Sequence, residues 1–304
     1  MSPVEFKGVF PIVITPFDEE ENTDLESFDR IIRFMAELGV DGVTILGVLG
    51  ESNRLLDKER EALIRTAVAA AGKMPVIVGT SYSGTRATCE LSQMAEELGA
   101  GGVMVTPSRE PVPNEERIFE YFQRVAASIS IPIVAQDHPA STRVHMSASL
   151  VLRLVREIPR IACIKQEATP TPPKTRALIA QMNGRATILT GLGALYGQYD
   201  LESGADGFMT GFAFPEVLQA LVRAHNADQP DRVHNIYQRF LPFIVFEQQP
   251  GVAIRKEIFR LRGLAQANTV RHPGRSIDAE TAAQLQAVLA AALPDIDLTQ
   301  PISQ

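Results

Sequence analysis

Cysteine is scarce: the 304-residue chain has two, Cys89 and Cys163, far apart in sequence. Such a pair builds neither a metal cluster nor a disulfide framework, so the expected compartment is the reducing cytoplasm, with a single Cys89–Cys163 bridge left formally open. A basic surplus is missing too. Lys and Arg number 29 against 36 Asp and Glu, the formal net charge is −7 and the pI is near 5.4. Nucleic acid and anionic membrane surfaces need a positive field, so neither is an expected partner, whereas a small molecule is. The opening MSPVEFKG has an early Glu5 and no apolar stretch of the signal-peptide kind, and no later run reaches the length of a membrane span. The chain reads as soluble and unexported. The histidines, His138, His145, His225, His234 and His272, show no HExxH or other ligand spacing, which speaks against a metal-dependent aldolase. The glycines of TGLGALYG, Gly191, Gly193 and Gly197, depart from the dinucleotide-binding spacing and lack the acidic residue that should follow. No metal and no cofactor is expected.

What is present is apolar and rhythmic. With 45% hydrophobic residues, the chain can bury a large core, as one α/β domain with an extension or as two smaller domains. Short β-rich runs recur at 9–15, 42–47, 75–80, 101–106, 131–136, 161–165, 186–191 and 204–211, each followed by a longer amphipathic stretch. Eight such units predict an α/β fold of the (β/α)8 TIM-barrel kind, with a Rossmann-type sheet and a separate second domain as the alternative. Asp24 and Thr85 stand at predicted helix starts, and Gly39 and Gly99 close the same helices. The expected division is a barrel over 1–225 and a C-terminal helical extension over 226–304 that packs on it. Within that extension, TAAQLQAVLAAAL carries so little charge that it must pack on the barrel or on another subunit.

In an eight-stranded α/β barrel the reacting groups stand at the C-terminal ends of the strands. IACIKQEATPTPPK, 161–174, puts an amine at such an end. Lys165 shares a strand face with Cys163, since alternate residues point the same way, and that face is taken as the inner one. Two readings are open: a rim lysine reaching into solvent, or an amine whose pKa burial lowers until it condenses with a ketone. PIVITPF, GVLGES, VIVGT, VMVTPS, the proline-containing loop after Gln136, CIK and GADGFMTG follow one another in an order and spacing that decides between them. The set, spanning about residues 8–225, resembles the dihydrodipicolinate synthase and N-acetylneuraminate lyase family. The resemblance implies a (β/α)8 barrel, a dimer or tetramer of identical chains, and a strand-six lysine, here Lys165, that forms a Schiff base with pyruvate or another 2-oxo acid.

Other family positions depart from the pattern. Where the family usually reads Gly-Thr-Thr/Ser-Gly-Glu, this chain has Gly47, Val48, Leu49, Gly50 and Glu51, so both hydroxyls are lost. The backbone N–H groups near Leu49 and Gly50, at an expected helix start, stay available for an anion. The strand-five tyrosine is replaced by Gln136, which cannot act as an acid or base near neutrality. A second tyrosine is absent after Thr106-Pro107, where Ser108 and Arg109 follow. Dihydrodipicolinate synthesis is therefore not expected. His138 becomes the candidate catalytic partner of Lys165, and Glu167, two residues past the lysine, is the other group that could carry a proton, unless it caps a helix or pairs with Lys174. Arg109 is a candidate for a distal carboxylate or phosphate. Val48, Leu49, Gly50, Gln136, Gly191, Thr210 and Gly211 are the expected substrate-binding positions. The expected function is a Schiff-base lyase on a 2-oxo acid, leaning to dehydration of a 2-keto-3-deoxy sugar acid because some dehydratases of the family resemble this chain in a Gln-Asp-x-Pro loop. The alternatives are a hydratase-aldolase on an aryl pyruvate, which the apolar Val48 and Leu49 would suit, and a non-catalytic barrel that binds an oxo acid.

Overall fold

The eight apolar runs become eight parallel strands, buried on both faces as parallel strands must be. The computed structural model describes residues 4–111, 114–249 and 251–302. The strands are β1 (Gly8–Val9), β2 (Val43–Ile45), β3 (Val76–Gly79), β4 (Gly102–Val105), β5 (Ile133–Asp137), β6 (Ile161–Gln166), β7 (Thr187–Thr190) and β8 (Gly207–Phe208). They pair in the order β1-β8-β7-β6-β5-β4-β3-β2. A parallel bridge between Ile12 and Thr44 brings the segment after β1 back against β2 and closes the barrel.

β1 is shorter than the predicted 9–15. On the β8 side the segment still pairs, with Phe10 N donating to Phe208 O and Ile12 N to Thr210 O. On the β2 side Pro11 accepts from Thr44 N but has no N–H to give back, so only a bridge forms there. β8 is also shorter than predicted. Gly207 crosses β1 so closely, at φ +146°, that a Cβ would overlap the Gly8 carbonyl.

Alternation along the strands sorts two cores. Phe10, Ile12, Ile77, Met104, Val134, Cys163, Leu189 and Met209 fill the barrel interior, while Val43, Ile45, Val103, Ile133 and Ile164 face the surrounding helices. Cys163 therefore points inward, and Lys165, two residues on, follows it. Burial pushes the Cys163 thiol up to about 12, and both cysteines are free, so the bridge left open above does not form.

The first predicted helix cap holds: Asp24 accepts from Ser27 N ahead of Leu25–Glu37, and Gly39 follows with φ +66°. The second shifts by one residue, because the extended Gly84 is the cap of Thr85–Glu97 and Thr85 is already helical. After β8 come the helices Pro215–Asn226, Pro230–Gln248, Val252–Leu261 and Ala279–Ala292. The alanine-rich helix buries Leu285, Leu289 and Ala292 and packs on Pro230–Gln248, so its apolar stripe is covered within the chain. Among the described residues, no helix is long and apolar enough to cross a membrane.

Candidate active site

Lys165 is 5% exposed at the end of β6, and its Nζ lies 3.2 Å from Glu167 Oε2. The backbone explains the meeting. Glu167 N donates to Asp137 O, which extends the β5–β6 pairing past the strand end and keeps Glu167 on the inner face with Lys165. Gln136 is the register partner of Lys165 on β5, and its Nε2 donates to Glu167 Oε2 at 2.6 Å. Leu192 N donates to the other oxygen, Oε1, at 3.1 Å, and His138 Nδ1 stands 3.8 Å from Oε2. Glu167 is thus the hub, joining three strand ends. Burial alone would raise its pKa, but the Lys165 cation, His138 and the hydrogen bonds from Gln136 and Leu192 outweigh it and hold the carboxyl below its ordinary range. Its expected alternative roles do not occur: Lys174 Nζ bonds Asp137 Oδ2 and Met146 O instead.

Gly191 was an expected substrate-binding position. Its missing side chain leaves room for Glu167, since a Cβ there would overlap Glu167 Oε1. Gly191→Ala should therefore displace the carboxylate and slow turnover by about 10-fold or more, while pyruvate and borohydride still add mass at Lys165. Unchanged turnover would show that the position of Glu167 does not matter.

His138 caps the short helix Pro139–Thr142, and its Nδ1 lies 2.9 Å from Ser141 Oγ. Burial lowers its pKa, which favours the neutral ring. After β2 come two short 3₁₀ turns, Val48–Gly50 and Ser52–Arg54, and the first is not the start of the next α-helix, which runs over Asp57–Ala71. Glu51, left-handed at φ +51°, ends the first turn. Gly50 N and Glu51 N are spent on Gly47 O and Val48 O, while Val48 N and Leu49 N have no partner among the described residues. Thr15 Oγ1 donates to Gly50 O at 2.7 Å and pins the turn. Leu49 packs against the interior core and takes the space beside Gly211. Thr210 Oγ1 accepts from Gly193 N at 2.7 Å. Thr44, also facing inward on β2, keeps a buried hydroxyl with no partner among the described residues. Arg109 has no bond to this group of residues. It lines a separate cleft of about 840 Å³ with Arg117, Arg124 and Arg143.

A buried lysine at the end of β6 with a carboxylate beside it is a geometry for imine chemistry, and comparison with known proteins places it. The model of the dihydrodipicolinate synthetase family matches residues 5–292. The chain belongs to this family. Among curated members, an L-2-keto-3-deoxyarabonate dehydratase of Azospirillum brasilense is 36% identical over 290 residues, covering 93% of each chain. A 4-hydroxy-tetrahydrodipicolinate synthase of Halalkalibacterium halodurans is 30% identical over 278 residues, covering 90% of this chain and 93% of its own. Among solved structures, a dihydrodipicolinate synthase from Rhodopseudomonas palustris superposes with a TM-score of 0.90 at 34% identity, covering 95% of this chain and 98% of the other. As a dihydrodipicolinate synthetase family protein with this barrel, the chain is a lyase of the lysine Schiff-base class acting on a 2-oxo acid.

The sequence named most of the residues that converge here but ranked them differently. Glu167 stood second to His138, although the period of two that turned Lys165 inward turns Glu167 inward as well. Thr44 was missed, and the signal for it was a hydroxyl on the inner face of β2.

Proposed function

We propose that this protein dehydrates a 2-keto-3-deoxy sugar acid through an imine on Lys165, with Glu167 as the acid and base. The observation that carries the reading is the carboxylate 3.2 Å from the lysine amine, on a barrel whose position for the usual phenol holds Gln136. The 36% identity to a keto-deoxy sugar acid dehydratase supports it.

The chemistry follows from placement. The amine attacks the C2 carbonyl, and loss of water from the adduct leaves an iminium on Lys165. That cation withdraws electrons from C3, one bond farther from nitrogen than C2, so Glu167 takes a C3 proton and an enamine forms. The enamine pushes its electrons back, the C4–O bond breaks, and the proton held on Glu167 goes to the departing hydroxyl as water. One carboxyl thus serves both half-steps, and water then hydrolyses the conjugated iminium, breaking the C2–N bond to release the keto acid and return the Lys165 amine. Gln136 and Leu192 N hold that carboxyl still, and His138 offers it a route to solvent through Ser141. The free N–H groups of Val48 and Leu49 bind the C1 carboxylate, in place of the missing hydroxyls. The protein works as a homo-oligomer, and its two free cysteines suit the cytoplasm.

Incubation with a panel comprising a 2-keto-3-deoxypentonate, a 2-keto-3-deoxyhexonate, an aryl pyruvate aldol and pyruvate with aspartate semialdehyde, followed by mass spectrometry, tests the reading. The expected product is the keto-deoxy acid minus one water. Release of pyruvate from it would make the enzyme an aldolase, and efficient condensation with the semialdehyde would return it to the synthases.

A further inference from the structure

The helix Val252–Leu261 carries three consecutive ionisable residues, Arg255, Lys256 and Glu257, and all are buried. A helix from a C-terminal extension has no need to bury charge for the sake of packing, because desolvated charges add little net stability. Glu257 is held by Arg260 and Asn268, whereas Arg255 and Lys256 reach the catalytic face of the barrel. Arg255 Nε donates to the carbonyl of Gly211, past the end of β8, and its guanidinium lies against Gly193 after β7. Glu247 Oε2 pairs with that guanidinium at 3.1 Å, and Glu247 Oε1 accepts from Ala213 N. Lys256 turns to the other side. Its Nζ reaches Glu51 Oε1 at 2.5 Å and Thr269 O at 2.6 Å, and lies 4.1 Å from the centre of the Phe17 ring.

Glu51 is the residue that ends the Val48–Gly50 turn in a left-handed conformation, which a non-glycine residue adopts only when its surroundings over-determine it. Here they do. Its second oxygen accepts from Arg54 Nη1 at 2.5 Å and from Arg271 N at 3.1 Å, and Arg271 in turn bonds Glu59 on the following helix. The Glu51 side chain is 1% exposed, as is that of Lys256, so neither charge has water as an alternative partner. Arg54 belongs to the β2 loop itself and moves with it. Arg271 N and the ammonium of Lys256 tie that loop to the body of the protein, and only the ammonium brings a charge to the first oxygen of Glu51.

We propose that Lys256 is a positioning residue for substrate capture: by fixing Glu51 it holds the free N–H groups of Val48 and Leu49 where the carboxylate of a 2-oxo acid binds. The inference rests on reading that turn as the carboxylate site, and it gives a C-terminal helix a part in recognition. Its signature is specificity for the acid. A purely structural lysine would affect all keto ligands alike, whereas loss of the N–H pair weakens only ligands that carry the carboxylate.

The test is borohydride trapping on the full chain, with pyruvate and with methyl pyruvate, reading the half-saturating concentration by intact mass. Lys256→Met should raise the value for pyruvate about 10-fold or more, the scale of one lost charge-assisted contact, and leave that for the ester near wild type. Because an unpaired Glu51 could impair folding, the double variant Glu51→Gln with Lys256→Met removes both buried charges together and should show the same selective loss. Equal losses for acid and ester, or none for either, in the variant that folds would overturn the inference. If wild type itself traps no oxo acid, the Schiff-base reading falls and this inference with it. If wild type traps pyruvate and the variants match it, only the role of Lys256 fails.

Discussion

Lys165→Ala will abolish the borohydride-stable adduct with pyruvate and lower turnover on the order of 10⁴-fold or more, the scale of removing a covalent nucleophile. Lys165→Arg will not rescue either, since a guanidinium stays protonated and forms no imine. The expectation is specific because the competing buried amines are engaged elsewhere. Lys174 is tied to Asp137 and Met146 O, and Lys256 to Glu51 and Thr269 O. Each also has a carboxylate beside it, but both lie on helices, whereas Lys165 stands at the inner end of a barrel strand. There Glu167 can take the ammonium proton to leave a neutral amine for attack. Peptide mapping of the trapped protein decides the matter: an adduct on any other lysine, or on the Ala variant, sinks the mechanism. The same variant should show that Glu167 owes much of its low pKa to this cation, because removing Lys165 leaves burial, which acts to raise it, less opposed.

How far the sequence led can be judged residue by residue. The rhythm of apolar runs revealed the barrel because each parallel strand must be greasy on both faces, and the period of two then aimed Lys165 inward. The same signal overestimated β1 and β8. Apolarity at 9–15 says nothing about the missing N–H of Pro11, and at 204–211 it says nothing about how closely Gly207 crosses Gly8. Within the site, a glycine letter records that room is made but not for whom: Gly191 was assigned to substrate, and Glu167 is the side chain that lies against it. Contacts across long chain separations were illegible. Nothing in Glu51 points to Lys256, nor in Leu192 to Glu167; these pairs exist only because the barrel closes and the C-terminal helices fold back over its catalytic end.

Glu167→Gln will separate capture from chemistry. Glutamine is nearly the same size, can still accept from Leu192 N, and cannot take a proton, so trapping at Lys165 should survive while dehydration slows by about 10²–10⁴-fold, the span for a lost general acid or base. His138→Ala should cost less, since the ring makes no hydrogen bond to Lys165 and stands 3.8 Å from the carboxylate. The pH profile distinguishes the two groups independently. Glu167 is held below its ordinary value by Lys165, His138, Gln136 and Leu192 N against the effect of burial, and the iminium keeps a cation beside it during turnover. It is therefore ionised above the ordinary glutamate pKa and loses its charge only as pH falls through a still lower value. His138 behaves oppositely: burial lowers its pKa, and it gains charge only below its usual range. If Glu167 is the base, turnover should persist as pH falls from 7 to about 5, where an ordinary carboxylate is still mostly ionised. A rate that declines with a single protonation between pH 5 and 7, and that vanishes in His138→Ala but not in Glu167→Gln, would transfer the proton-carrying role from the carboxylate to the imidazole.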